Sequence, residues 1–321
     1  MVQGQTRTWA HVGQYVQRSG LLLAFIVLCV ILALLSDRFL TLPNILNVLR
    51  QSSINGIIAV GMTLVILTRG IDLSVGAVLA LTAVITAELL VLGVPPVSAS
   101  IIGMLAGGLL GLFNGVIVTV FHLPAFIATL GTMTFARGLA LNFTQGKPVT
   151  GLPEAFRWLG TGFIATVPVP VIAAGMVFLI AVVVLKGTVH GERIYALGNN
   201  PEAARFTGIP VKAYITMMYV ITGILTALAG QILVGRLDSA QPVMGMGYEF
   251  NAIAAVVVGG TSLAGGSGGI AGTIIGVLII AVINNGLNLL NVPSFWEQVV
   301  RGVVIASALL VHRASARKKS V

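Results

Sequence analysis

The sequence predicts an all-α integral membrane protein: a polytopic helical bundle of about ten transmembrane helices, with one short cytoplasmic helix and broken or re-entrant segments. Three observations carry this. Of 321 residues, 57% are hydrophobic and 8% charged, with mean hydropathy +1.03, against about 25% charge in a soluble domain. Apolar runs of about twenty residues, enough to cross the hydrocarbon core as helix, recur along the whole chain. The runs are uniformly apolar rather than alternating, which argues against barrel strands. The chain therefore reads as one transmembrane domain, 1–321.

Apolar content sets the expected spans at 20–36, 52–68, 73–93, 98–120, 125–142, 168–186, 212–235, 249–264, 269–290 and 296–312. Arg7 and Arg18 precede the first run, Leu21–Leu35, as in a signal peptide, but the run ends in Ser36-Asp37-Arg38-Phe39 with no small-residue cleavage site. A retained first span is predicted. In 41–53, Leu42, Ile45, Leu46 and Leu49 recur at helical spacing, as expected of an amphipathic stretch at the interface leading into the second span. Thr68–Gly76 (TRGIDLSVG) follows as a tight turn. Arg69 and Asp72 are three apart and could pair, with Gly70 and Gly76 on either side and Ser74 between. Two readings stand: a broken helix at a functional position, or a charge pair that anchors a turn.

Gly103, Gly107, Gly111 and Gly115 share a face of the fourth span, and Gly268, Gly272 and Gly276 repeat the spacing later. Such faces let helix backbones approach closely, within the chain or against a second copy. In the loop 143–170, Pro153–Gly160 (PEAFRWLG) reads as a short helix, opened by proline and closed by glycine, with Phe156 and Trp158 at an interface belt or a docking ledge. A faint repeat at an offset of 196 pairs Asn55 with Asn251, Leu67 with Leu263, Gly70 with Gly266 and Gly76 with Gly272. Asn284, Asn285, Asn288 and Asn291 crowd one span end, and spacing by three or four puts Asn284, Asn288 and Asn291 on one face. Amides donate and accept, which suits sugar hydroxyls or hydrogen bonds between helices.

The longest polar break holds Gly198–Pro210 (GNNPEAARFTGIP). Asn200 suits an N-cap, Pro201 the first helical position and Glu202 the first turn. Gly208 can take the left-handed conformation that stops the helix, and Pro210 forbids continuation. About two turns result, too short to stand alone. Small Ala203 and Ala204 and the apolar Phe206 suit a peg in a socket on another protein; an ordinary capped loop helix is the plainer reading.

With ten spans both termini share a side. That side collects most Lys and Arg, including Arg7, Arg18, Arg193, Arg205, Lys212 and Arg313–Lys319, against Arg38, Arg50, Lys147, Arg157 and Arg236 opposite. Cytoplasmic termini follow: an N-tail at 1–19, a cytoplasmic loop at 187–211 and a basic tail at 313–321.

Several classes are excluded. The pI near 10.3 comes without a basic stripe and interleaved aromatics, so no nucleic acid is expected. The one cysteine, Cys29, has no partner for an internal disulfide. Gly146-Lys147 is followed by Pro148, and Gly265–Gly269 carries no lysine, so the chain has no phosphate cradle and should not hydrolyse ATP. Histidines 11, 122, 190 and 312 are scattered, and no catalytic or metal-ligand set is read. What remains is the membrane subunit of an ATP-driven importer, or a secondary transporter driven by an ion gradient. The second needs coupling carboxylates in the bilayer, and Asp72, Glu88 and Glu297 are a thin set.

The order Glu202-Ala203-Ala204-Arg205-Phe206-Thr207-Gly208 resembles the coupling loop of ABC-importer permeases. Gly70–Gly76 (GIDLSVG) resembles, letter for letter, a signature of the sugar-importing ones. With Asn55–Gly76, Ala125–Met133, Ile194–Ile209, Ser239–Gly266 and Asn284–Leu290, the likeness covers about 21–310. The chain resembles the permeases of bacterial ribose-type ABC importers, a family that also takes xylose, galactose and arabinose; Arg69 departs from the small residue expected before GIDLSVG. The resemblance implies a bacterial inner-membrane protein, a second permease copy, surrounding membrane lipid, a cytoplasmic ATPase that binds ATP in place of this chain, and a periplasmic sugar-binding protein. It implies ATPase coupling through Asn200, Glu202, Ala203, Ala204, Phe206 and Gly208. Asn55, Asn251, Asn284 and Asn288 are the candidate substrate path.

Overall fold

The computed structural model describes residues 20–293, 295–300, 302–304, 306 and 307. The expected tails at 1–19 and 313–321, with the basic residues that weigh in the orientation argument, lie outside the described residues. Of the span expected at 296–312, the part described is helical.

The chain runs through α1 (Gly20–Leu35), α2 (Leu42–Leu67), α3 (Val75–Val91), α4 (Pro96–Thr119) and α5 (Ala125–Thr144). After β1 (Val149–Thr150) come α6 (Glu154–Thr161), β2 (Phe163–Ile164) and β3 (Val167–Pro168). Then follow α7 (Val169–Gly187), α8 (Val189–Asn199), α9 (Pro201–Phe206), α10 (Val211–Leu237), β4 (Ser239–Ala240), α11 (Tyr248–Val258) and α12 (Ile270–Leu289). Two small ladders, β1 with β4 and β2 with β3, close the end of the bundle that carries α6. There α6 lies on the end of α10, with a salt bridge of 3.0 Å between Arg157 and Asp238. The opposite end carries α8 and α9.

The apolar blocks map onto helices of unequal reach. Among the described residues, five helices are long and apolar enough to cross a membrane: α2, α4, α7, α10 and α12. α1, α3 and α11 are apolar but shorter. The span expected at 249–264 is not one helix. α11 has 11 residues, about 16 Å of rise against about 30 Å of hydrocarbon. Gly260, Gly265, Gly266, Gly268 and Gly269 all take positive φ and keep residues 259–269 out of helix. Counting apolar residues registers this stretch as a span because glycine, alanine and leucine are not polar. The interfacial stretch expected before the second span is likewise no separate element; α2 runs unbroken from Leu42, with a proline in its first turn where the missing N–H costs nothing.

The core is built around α2, buried at every residue from Ser52 to Leu67. α7, α10, α11 and α12 surround it. α4 buries only one stripe, and Leu105, Leu109 and Phe113 on its other face are exposed. α7 likewise exposes Leu179, Ile180 and Val183. Contiguous apolar faces of this kind are expected where the solvent is lipid rather than water.

The glycine faces pack within the chain. Cβ atoms at Gly107 and Gly111 would strike the backbone of Gly223 and Tyr219 on α10, and one at Gly115 would lie 2.7 Å from Thr216 Cα. Gly272 and Gly276 bring α12 against the backbone of Gly259 and Ala255 at the end of α11. Gly268, grouped with them by spacing, is not on that helix; its φ of +126 belongs to the turn before α12.

Candidate functional site

α9 forms as its sequence dictates. Asn200 is extended, and its Oδ1 accepts hydrogen bonds from Glu202 N and Ala203 N, both 3.1 Å. These amides would otherwise be orphans of the first turn. Gly208 is left-handed, φ +82, and its amide and that of Ile209 turn back on Arg205 and Ala204 carbonyls. The helix spans six residues, shorter than the two turns expected, because this left-handed turn unwinds its end. The two alanines divide: Ala204 is buried against this chain's own core, whereas Glu202, Ala203, Arg205 and Phe206 are exposed. Phe206 is a large apolar side chain 83% exposed, with only the Arg205 guanidinium over its ring, 5.8 Å from the centroid.

α9 rests on α8, a helix where a loop is expected from the sequence. Thr188 Oγ1 accepts from Gly191 N at the start of α8, and Ile194 and Leu197 anchor it in the core. The Thr188 cap with Glu192 in the first turn was the available signal. Arg193, beside α9 in sequence, donates from Nη1 to the Tyr214 hydroxyl at 3.0 Å.

The GIDLSVG stretch is a true break between α2 and α3. Gly70 is required by close approach: a Cβ there would lie 2.5 Å from the Tyr219 hydroxyl. Arg69 and Asp72 do not pair. The chain leaves the helix at Arg69, φ +66, so the three-residue spacing no longer puts the two on one face. Asp72 is buried, and its Oδ1 accepts from Ser74 N at 2.9 Å and Ser74 Oγ at 2.6 Å. Asn114 Nδ2 donates to Ser74 Oγ, and Thr132 Oγ1 donates to Asn114 Oδ1. The donors thus run from α5 through α4 to the carboxylate. Thr129 of α5 also accepts from Leu73 N, 3.1 Å. At Gly76 a Cβ would collide with the Gly245 carbonyl and the Glu249 carboxylate. This brace of Asn114, Thr129, Thr132 and Tyr219 carries no sequence signal; it is assembled by tertiary packing.

The offset of 196 has a structural counterpart. α2, a break and α3 are matched by α11, a break and α12, and the left-handed Arg69 falls opposite the left-handed Gly265. The two breaks touch: Gly266 N donates to Leu67 O at 3.0 Å. Both lie under α8, where Arg69 Nε donates to Gly198 O at 2.7 Å and Nη2 to Asn199 O at 2.6 Å.

The candidate path asparagines separate into two groups. Asn55 of α2 and Asn251 of α11 are buried in the bundle, and the Oδ1 of each has no hydrogen-bond partner among the described residues. Asn284 and Asn288 sit at the α6 end of α12. There Asn288 Nδ2 donates to Asn284 O at 3.0 Å and to Glu297 Oε1 at 3.2 Å, and Asn285 exchanges amide bonds with Asn44 of α2. Among the described residues no group of three His, Cys, Asp or Glu could hold a metal ion.

Comparison with known proteins bears on this geometry. The family described as "Branched-chain amino acid transport system / permease component" matches residues 44–309. The ribose import permease protein of Bacillus subtilis (strain 168) is 51% identical, over 94% of this chain and 95% of its own length. That of Haemophilus influenzae is 44% identical over 99% and 100%. The galactose/methyl galactoside import permease protein of Escherichia coli K12 is 35% identical over 95% and 97%. No solved structure matches the chain. These proteins are transport subunits rather than enzymes, and their likeness spans both breaks, α8 and α9. With its apolar helices and a match that takes in all but the ends, the chain is an integral membrane protein of that permease family.

Proposed function

We propose that this chain is the membrane subunit of an ATP-driven importer of ribose or a closely related monosaccharide. The single observation that carries the sugar is 51% identity to a ribose import permease across 94% of the chain. The family's printed description names branched-chain amino acids, but the similar full-length relatives are named for ribose, allose and galactose. The protein works in the bacterial inner membrane with both termini in the cytoplasm, as a pair of copies embedded in lipid. A separate cytoplasmic ATPase binds the ATP, and a periplasmic sugar-binding protein delivers the sugar at the α6 end.

In this reading α9 is the coupling helix. Its exposed Phe206, Ala203 and Glu202 meet the ATPase, Asn200 and Gly208 hold its two ends, and Ala204 roots it in the permease. Nucleotide-driven closure of the ATPase displaces α9, and the bundle changes access. Gly70, Asp72, Ser74 and Gly76 form the signature break that responds. Asn55 and Asn251 line the path, where their unpaired amide oxygens accept sugar hydroxyls. Asn284 and Asn288 lie at its α6-end mouth.

The alternative, a carrier driven by an ion gradient, is disfavoured by the same relatives. The decisive experiment measures labelled ribose uptake into proteoliposomes holding this chain, its ATPase and its binding protein. Uptake should require ATP inside and persist when ionophores collapse every gradient. Uptake by the chain alone, driven by a proton or sodium gradient, would overturn the proposal.

A further inference from the structure

Three corners of the chain meet at the end of α8, next to α9. The first break is stitched to the second through the bond from Gly266 N to Leu67 O, 3.0 Å. The end of α8 lies against both: a Cβ at Gly198 would strike the Leu67 carbonyl and the Gly266 amide, and one at Gly266 would strike Asn199. Arg69 closes this corner with its bonds to Gly198 O and Asn199 O, 2.7 and 2.6 Å. Those carbonyls belong to the last turn of α8, where helix hydrogen bonds run out and partial negative charge collects. A guanidinium fork is well matched to them, and its bonds are charge-assisted. Asn199 is joined directly to Asn200, whose side chain caps α9. One peptide unit therefore separates the grip of Arg69 from the cap of α9.

The backbone indicates that Arg69 is present for its side chain. Its φ of +66 is left-handed, a conformation that disfavours any residue with a Cβ and suits glycine. At the matching position of the second break, with φ +83, the chain does use glycine, Gly265. A Cβ there would press on the Arg69 side chain, 2.5 Å from its Cγ. The same bend occurs twice, and only the copy beside α8's carbonyls carries a long donor. A second strut runs from α8 to the other break, where the Tyr195 hydroxyl donates to Gly268 O at 3.1 Å.

We propose that Arg69 is a positioning residue that transmits displacement of α9 to both breaks. Movement of α9 pulls on the last turn of α8. Arg69 carries that pull to Gly70–Ser74, and the Leu67–Gly266 bond carries it on to residues 259–269. α8 acts as the lever and Arg69 as its pin. The inference rests on the reading of α9 as the ATPase contact, and deepens it.

The test uses the full complex, permease with its ATPase and binding protein, in proteoliposomes. Arg69→Gly keeps the left-handed backbone and removes the pin. The ATPase should still co-purify and hydrolyse ATP, while ribose moved per ATP falls about tenfold. Arg69→Lys, with one flexible donor group in place of the fork, should recover part of that ratio. A wild-type ratio in Arg69→Gly overturns the proposal. So does loss of the ATPase from that variant, because Arg69 would then be holding a docking surface rather than transmitting motion. If Arg69→Gly does not insert, Arg69→Gln decides: it is uncharged and reaches at most one carbonyl, and a wild-type ratio in it is equally fatal. A wild-type permease that binds no ATPase fails the functional reading itself, and that is seen before any variant is made.

Discussion

Gly111→Ala tests the contact between α4 and α10. An alanine Cβ at this position would collide with the Tyr219 carbonyl oxygen and lie 2.8 Å from Tyr219 C and 2.9 Å from Val220 Cα. These are backbone atoms inside a helix and cannot swing aside. Restoring ordinary contact requires the helices to separate by about 1 Å, and overpacking of this kind costs about 1–3 kcal/mol or more. Replacing glycine by alanine within a helix returns about 1 kcal/mol of propensity. The net effect is a loss of up to about 2 kcal/mol, which corresponds to a melting point up to about 3 °C lower for a chain of 321 residues. Gly175→Ala in α7 is the control, since its Cβ meets nothing within 4 Å. It gains the propensity with no clash and should melt no lower than wild type. Thermal unfolding in detergent, followed by labelling of the single thiol Cys29, reads both. A Gly111→Ala protein at least as stable as wild type, beside a destabilised Gly175→Ala, would refute the packing argument.

Three further outcomes are expected. Phe206→Ala should leave the melting point within about 1 °C, because an exposed side chain contributes little to the fold, yet weaken co-purification of the ATPase; Asn200→Ala, which strips the α9 cap at a cost of about 1 kcal/mol, should lower sugar-stimulated hydrolysis. Asp72→Ala leaves the Ser74 amide and hydroxyl buried without an acceptor and should destabilise by about 2–4 kcal/mol, whereas Asp72→Asn keeps one acceptor oxygen and should lose less; equal melting points would remove Asp72 from the brace. Cysteines at 55 and 251 should react with polar thiol reagents in the assembled, cycling transporter, and complete protection of both would take Asn55 and Asn251 off the path.

How far the sequence could be read depended on the range of the interactions involved. α9 was legible because a cap, a proline, an acidic first turn and a left-handed glycine all lie within nine residues and act on their own backbone. The spans were legible where an apolar run is also a helix. α11 was not, because hydropathy is blind to φ, and the glycines of 259–269 are apolar enough to pass for membrane while refusing helix. The pairing of Arg69 with Asp72 failed for the same kind of reason: spacing by three places side chains together only on a continuous helix. The partners those two residues do have, Asn199 and Asn114 among them, are brought there by packing between helices distant in sequence. The glycine ladder of α4 was readable as a contact face, but its counterpart, α10 of the same chain, is set by tertiary packing.

The short reach of α11 has a consequence for biosynthesis. The segment after it leaves several amides outside helical bonding, and their acceptors include Ser267 O and Thr261 Oγ1 nearby and Leu67 O at the end of α2. Lipid offers no substitute for such acceptors. The carboxy-terminal hairpin therefore cannot rest stably in a bilayer by itself; it must be threaded into a cradle that earlier-made helices have already formed. A fragment beginning after α10 and expressed without the rest should be degraded, and co-expression of the amino-terminal fragment should rescue it.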